Sequence, residues 1–184
     1  MNVICIDLEL NQPSRKIIEL GYVIANVKTQ KIIKKESIYV NPNEKLSPMI
    51  IELTGITQEQ VDYGVSLTEA YNIMCQHISK YEVNKHAIQW GTDHFELRND
   101  LDIEWNDYIF RRRAHDIKSL YQIYAMSQSN GSTVAGLGNA MKKLGLEFIG
   151  KQHCAADDAY NTLIVMFELQ NKFKSYDQIK KILK

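Results

Sequence analysis

The chain has 184 residues, 45% of them hydrophobic and 24% charged, with 22 basic and 22 acidic side chains. That length suits one domain, residues 1–184, with a sizeable core, and a net charge of zero excludes a protein that coats nucleic acid by overall charge. Three cysteines without C-x-x-C spacing, no apolar run long enough for a bilayer and no leader-like N-terminus argue against a disulfide framework and a membrane protein, which makes the cytoplasm the expected compartment.

In chain order, VICIDLEL reads as a strand. After a turn at NQPSRK, IIELGYVIANV reads as a second strand and KIIKKESIYVN as a third. The connections are short, so the three should form an antiparallel meander. Residues 42–61 read as loop and short helices, with Pro48 starting one and Thr57 with Gln60 resembling a capping box. Leu67, Ala70, Tyr71, Met74, Cys75 and Ile78 form a helical stripe. HAIQWG reads as a short buried strand, DHFELRNDL as the helix after it, and AHDIKSL as the entry to a further strand or helix. STVAGLGNAMKKLG reads as a capped helix stopped by Gly145, and AADDAYNTLIVMFELQNKF as a long helix. The expected architecture is α/β, a mixed sheet with helices packed around it.

Chemistry is suggested first by Asp7 and Glu9 in ICIDLELN. Residues two apart in a strand share a face, so both carboxylates crowd one side, where repulsion and desolvation disfavour their charged forms. Further acids follow later elements: Asp93 just past the IQWG strand, and Asp157 and Asp158 opening the last helix, with His153 shortly before. Carboxylates gathered at the ends of strands suit hard divalent cations. Two such ions about 4 Å apart clamp the attacking and leaving oxygens of a phosphodiester displacement. Each residue also has a bland reading. Asp93 could be a helix N-cap, Asp157 and Asp158 could complement the helix dipole, and His153 could be an ordinary histidine.

Taken together, DLE near the N-terminus, an Asp after a mid-chain strand and HCAADDAYNT resemble the DEDDh 3′–5′ exonuclease superfamily, the RNase T and proofreading type. KIIELGYVIANV, ELTGITQEQV and VAGLGNAMKKLGLEFIGKQHCAADDAYNT extend the resemblance over nearly the whole chain, and WGTDHFEL is similar to the Eri-type and KapD-like branch. The resemblance implies an RNase H-like mixed β-sheet (antiparallel meander plus parallel strands) flanked by helices. It implies a metal-dependent 3′–5′ exonuclease that hydrolyses single-stranded RNA or DNA from the 3′ end and releases nucleoside 5′-monophosphates, with RNA favoured. A catalytically silent nucleic-acid-binding protein on the same fold is the alternative, and a metal-dependent endonuclease is a third reading.

Residue by residue, the resemblance makes Asp7, Glu9, Asp93 and Asp158 the ligands of two Mg²⁺ or Mn²⁺ ions. Glu9 and His153 take the catalytic roles, His153 as the general base that accepts the proton of the attacking water. The five-residue spacing from His153 selects Asp158 over Asp157, and Cys154 stands where tyrosine-type relatives have their Tyr. At the second motif this chain departs from its branch, offering Thr92-Asp93-His94 in place of two acids or an aromatic–acid pair, and His94 could contact a phosphate but reads more readily as an exposed bystander. Leu10, Asn11, Thr54 and Ile56 fall where the family holds the 3′-terminal nucleotide. Arg111-Arg112-Arg113 is a basic run that could meet upstream phosphates or simply be solvated, and the lysine-rich end of the last helix reads as a solvated face.

Overall fold

The strand that carries the paired acids lies at the centre of the sheet. The computed structural model describes residues 1–127 and 136–182, backbone only from residue 175. β1 (Asn2–Leu10), β2 (Ile17–Asn26) and β3 (Lys31–Tyr39) form the antiparallel meander. β4 (Val83–Gln89) and β5 (Ala114–Asp116) continue the sheet beyond β1 as parallel strands. The order is β3-β2-β1-β4-β5, the expected mixed sheet.

Because β1 and β2 are internal, both of their faces are covered. The two-residue alternation therefore appears as two hydrophobic layers in place of an apolar and a polar side. On β1, Ile4, Ile6 and Leu8 face one layer, where Ala70, Met74 and Ile78 of α3 (Leu67–Lys80) and Leu97 of α4 (Asp93–Leu101) cover the sheet. Val3 and Cys5 face the other, with Tyr121 of α5 (Ile117–Met126), Met141 of α6 (Leu137–Lys143) and Leu163 of α7 (Ala155–Ile182). Asp7 and Glu9 continue the Val3–Cys5 series toward the end of β1 and so point to the α7 side. β3 is an edge strand with alternating exposure, and Lys31, Lys34 and Lys35 along it discourage pairing with another chain.

Two short helices, α1 (Pro48–Thr54) and α2 (Gln58–Asp62), close a third cluster over Ile18. Ser47 caps α1 ahead of Pro48, and Thr57 with Gln60 forms the expected capping box of α2. AHDIKSL contains both of its alternatives, β5 running directly into α5.

Two sequence expectations need correction. The helix expected from Ser132 begins at Leu137, with Gly136 at its N-cap and no side-chain cap. Residues 132–135 lie outside the described residues, while Gly145 (φ 75°) sits past the helix end as expected. The β4 strand starts three residues before His86 and ends at Gln89, because Trp90 and Gly91 turn the chain toward α4. The side chains of the lysine-rich end, from residue 175, lie outside what is described.

Candidate active site

Three elements bring the acids together. The carboxyl end of β1 supplies Asp7 and Glu9. The turn after β4 supplies Asp93 as the first residue of α4, and the first turn of α7 supplies Asp158. The β4–α4 turn is built around buried Gln89. Its Oε1 accepts the His94 N–H at 2.7 Å and its Nε2 donates to the Gly91 carbonyl at 2.7 Å. Asp116, the N-cap of α5, accepts the Gly91 N–H at 2.9 Å and ties the same turn to β5. Thr92 is the N-cap residue of α4 and makes no side-chain cap bond, while the Asp93 carboxylate meets its own backbone N–H.

On the other side, α7 lies directly on β2. A Cβ at Gly21 would overlap the Ala155 carbonyl carbon and the Ala156 nitrogen, so glycine is what lets the helix start approach. Glu19, two residues earlier and only 1% exposed, shares that face and sits in register with Glu9. Its carboxylate accepts the Ala155 N–H at 3.0 Å, the Ser37 hydroxyl and the Cys154 thiol at 3.7 Å. His153 precedes the helix in the left-handed conformation (φ 61°). Its N–H donates to Asp158 Oδ2 at 2.9 Å, while its ring is left exposed.

The electrostatics are those of an anionic cluster. Burial pushes Asp7 well above the usual carboxylate range, and the charges of Asp93, Asp158, Glu9 and Glu19 push it further. Burial followed by the charge of Asp158 raises Glu9 to about 8. Burial raises Asp93 to about 7, with Glu96, Asp116 and Asp158 adding repulsion. Asp158 is raised to about 6, again chiefly by burial, against the opposing hydrogen bond from the His153 backbone. Among the described residues no Lys or Arg forms an ion pair with any of the four, and the buried Asp93 Oδ2 has no hydrogen-bond partner. One ligand atom each from Glu9, His153 and Asp158 lies within 4.8 Å of the others, a group that could hold a metal. An orphaned carboxylate oxygen within a set of mutually repelling oxygen donors fits a hard divalent cation.

Of the five principal residues read from the sequence, Glu9, His153 and Asp158 come within 4.8 Å of one another, while Asp7 and Asp93 are near enough for their charges to act on the cluster. Asp157 turns away, paired with Lys35 and accepting the Lys151 N–H at 2.8 Å, so the two consecutive acids face different partners. Cys154 is a free thiol that burial, and then the charge of Glu19, pushes up to about 11. His94 is not an exposed bystander. It is 3% exposed, with Nδ1 against Gln89 and a buried Nε2 that lacks a partner.

Leu10 keeps partial exposure at the end of β1, whereas the other three expected nucleotide contacts are buried. Asn11 donates to the Lys45 carbonyl at 3.0 Å and accepts the Ser47 N–H at 2.9 Å, so its amide holds the entrance to α1. The Thr54 hydroxyl donates to the Ile50 carbonyl at 2.8 Å, and its own carbonyl accepts from Lys151 Nζ at 2.7 Å. Ile56 packs in the cluster over Ile18. Arg111, Arg112 and Arg113 stand before the first residue of β5, the strand end opposite the acids, and Arg112 lies over the Trp105 ring.

Sequence reasoning missed Glu19, Gln89 and Asp116. Glu19 carried a usable signal, a charged residue inside the otherwise apolar run IIELGYVIAN, since an interior charge needs partners.

Comparison with known proteins adds three findings. A family model described as Exonuclease, that of RNase T, matches residues 4–166. The chain is 28% identical over 180 residues to human ERI1 exoribonuclease 2, covering 85% of this chain and 25% of that one. It thus spans about a quarter of the length of the first curated relatives it matches. Among solved structures it resembles the nuclease domain of 3′hExo, a DEDDh family member, bound to rAMP, with a TM-score of 0.79 at 22% identity over 93% of this chain and 92% of that one. A 3′-exonuclease in 3′-end-specific recognition of histone mRNA stem-loop matches with a TM-score of 0.79 at 25% identity, over 92% of this chain and 64% of that one. The fold is that of these neighbours, the RNase H-like exonuclease fold.

Proposed function

Since the chain belongs to the exonuclease family whose model spans residues 4–166, we propose that it is a metal-dependent 3′–5′ exonuclease. Its substrate would be single-stranded nucleic acid, RNA in preference to DNA, degraded to nucleoside 5′-monophosphates. The observation that carries this reading is the convergence of Asp7, Glu9, Asp93 and Asp158 on one end of the sheet, beside an exposed histidine. The preference for RNA rests on the relatives, named as an exoribonuclease and as a protein recognising histone mRNA.

Asp7, Glu9, Asp93 and Asp158 would hold two ions, Mg²⁺ or Mn²⁺. Such ions supply an acidified water at neutral pH and a clamp on the phosphate oxygens. His153 supplies the proton acceptor. Its backbone N–H is anchored on Asp158, so the ring is presented beside the carboxylates while remaining open to solvent and substrate. A neutral imidazole there removes the proton from the attacking water. Leu10, at the end of β1 and partly exposed, would offer apolar surface to the terminal nucleotide. Asn11, Thr54 and Ile56 are buried, so they would shape the proposed substrate side from beneath, Asn11 by holding the entrance to α1.

The proposal takes residues 1–184 as one exonuclease domain. No helix among the described residues is long and apolar enough to cross a membrane, and Cys5, Cys75 and Cys154 are free thiols, which supports a reducing compartment such as the cytoplasm.

The test is degradation of matched 5′-labelled RNA and DNA oligomers by the purified protein with Mg²⁺, with Mn²⁺ and with chelator. The expected result is a ladder shortening from the 3′ end, faster on RNA and absent with chelator. Binding without shortening under every metal condition would instead support a catalytically silent protein.

A further inference from the structure

We infer that Glu19 is a positioning residue of the site: it anchors the first turn of α7 to β2 and so sets Asp158 and His153 against Asp7 and Glu9. This rests on the exonuclease reading for its kinetic consequence, but not for its structural one.

Glu19 is an interior carboxylate with no ion pair among the described residues, and all three of its contacts are donors. Two of them, the Ala155 N–H and the Cys154 thiol, belong to the junction between the His153 loop and α7. The third, Ser37, steadies the carboxylate from β3. A helix start leaves backbone N–H groups without intrahelical partners, and it carries partial positive charge. The residue before α7 is Cys154, whose thiol is a poor acceptor and is itself turned toward Glu19. The oxygen for the Ala155 N–H therefore comes from another element, the neighbouring strand.

The anchored turn is also the one that bears the chemistry. The Cys154 carbonyl accepts the N–H groups of Asp157 and Asp158, both at 2.9 Å, and Asp158 in turn accepts the His153 N–H. Glu19, Cys154, Asp158 and His153 thus form one chain of hydrogen bonds. Gly21 on the same face holds the helix backbone at contact distance. Placing an acid opposite Glu9 in register costs stability by repulsion, and that cost is offset if the acid fixes the helix start. Glu19 has no bond to a ring atom of His153 or to the carboxylates of the cluster, so it acts through the backbone.

The experiment compares wild type, Glu19→Gln and Glu19→Ala in two measurements. These are steady-state degradation of a single-stranded RNA oligomer with Mn²⁺, and amide hydrogen exchange of the metal-free protein. The expected result is a fall in kcat of about 10- to 100-fold, the usual effect of removing a partner that orients a metal-site ligand, with KM unchanged. Amides of residues 155–158 should exchange faster while those of β1 and β4 keep their protection. Glu19→Gln, which retains an acceptor oxygen, should recover part of both effects. Unchanged exchange at 155–158 in Glu19→Ala would overturn the inference. So would a rise in exchange spread evenly over the sheet, with activity falling only as the folded fraction falls. If wild type degrades nothing, the exonuclease reading fails, while the exchange pattern still decides whether Glu19 anchors the turn.

Discussion

His153 occupies a left-handed backbone position, a conformation that asparagine tolerates better than most residues. Its backbone N–H, not its ring, makes the bond to Asp158, so the ring can be removed without losing that bond. His153→Asn and His153→Ala should both fold normally, and kcat should fall by about 10²–10⁴-fold, the range for loss of a general base. Kinetics beside circular dichroism checks this, and a variant with a near-normal rate would move the base role elsewhere. Asp158→Asn should abolish turnover yet raise the melting temperature of metal-free protein at pH 8, because it relieves repulsion in a cluster whose members are already pushed upward. A lower melting temperature would contradict the repulsion account. The acids and His153 were legible in the sequence because their order and spacing are specific. The partners of Glu19 and Asp116 were not, since each acts on a backbone group distant in sequence, and His94 was misjudged because it packs against Phe95 and Trp105 and bonds Gln89.

At the scale of elements, the junction between β2 and α7 leaves no room for a side chain at Gly21. Gly21→Ala would force the helix start off the strand, and overpacking of this kind costs about 1–3 kcal/mol or more. Urea unfolding should show that loss, with activity falling further than stability alone requires because Asp158 and His153 ride on the displaced turn. A fully active, fully stable Gly21→Ala protein would contradict the packing described for this junction. The meander, the capping box and the α3 stripe were legible because their patterns are local. The face chosen by Asp7 and Glu9 was not. In a strand covered on both sides the apolar residues run on without alternation, and only the helices above each face tell the two sides apart.

The whole molecule is neutral by count, which conceals a strongly anionic site. Glu9 is raised from 4.5 to about 8 and Asp158 from 3.8 to about 6, so between those limits the folded state holds more protons than the unfolded one. Above about pH 6.5, where the histidines held low by burial are already neutral, stability of the metal-free protein should therefore fall as pH rises toward 8. Saturating Mn²⁺ should raise the melting temperature by mass action on the native state, most at the alkaline end, where the carboxylates are ionised. Thermal unfolding across that pH range, with and without metal, measures both effects, and a metal-free protein growing more stable toward pH 8 would refute the charge distribution. The account as a whole is tested most directly by incubating linear and circular single-stranded RNA of one sequence with the protein and Mn²⁺, and identifying the first products. It predicts nucleoside 5′-monophosphates from the linear strand, an intact circle, and no release by Asp158→Asn. Cleavage of the circle, or mononucleotide release that persists in chelator, would contradict it.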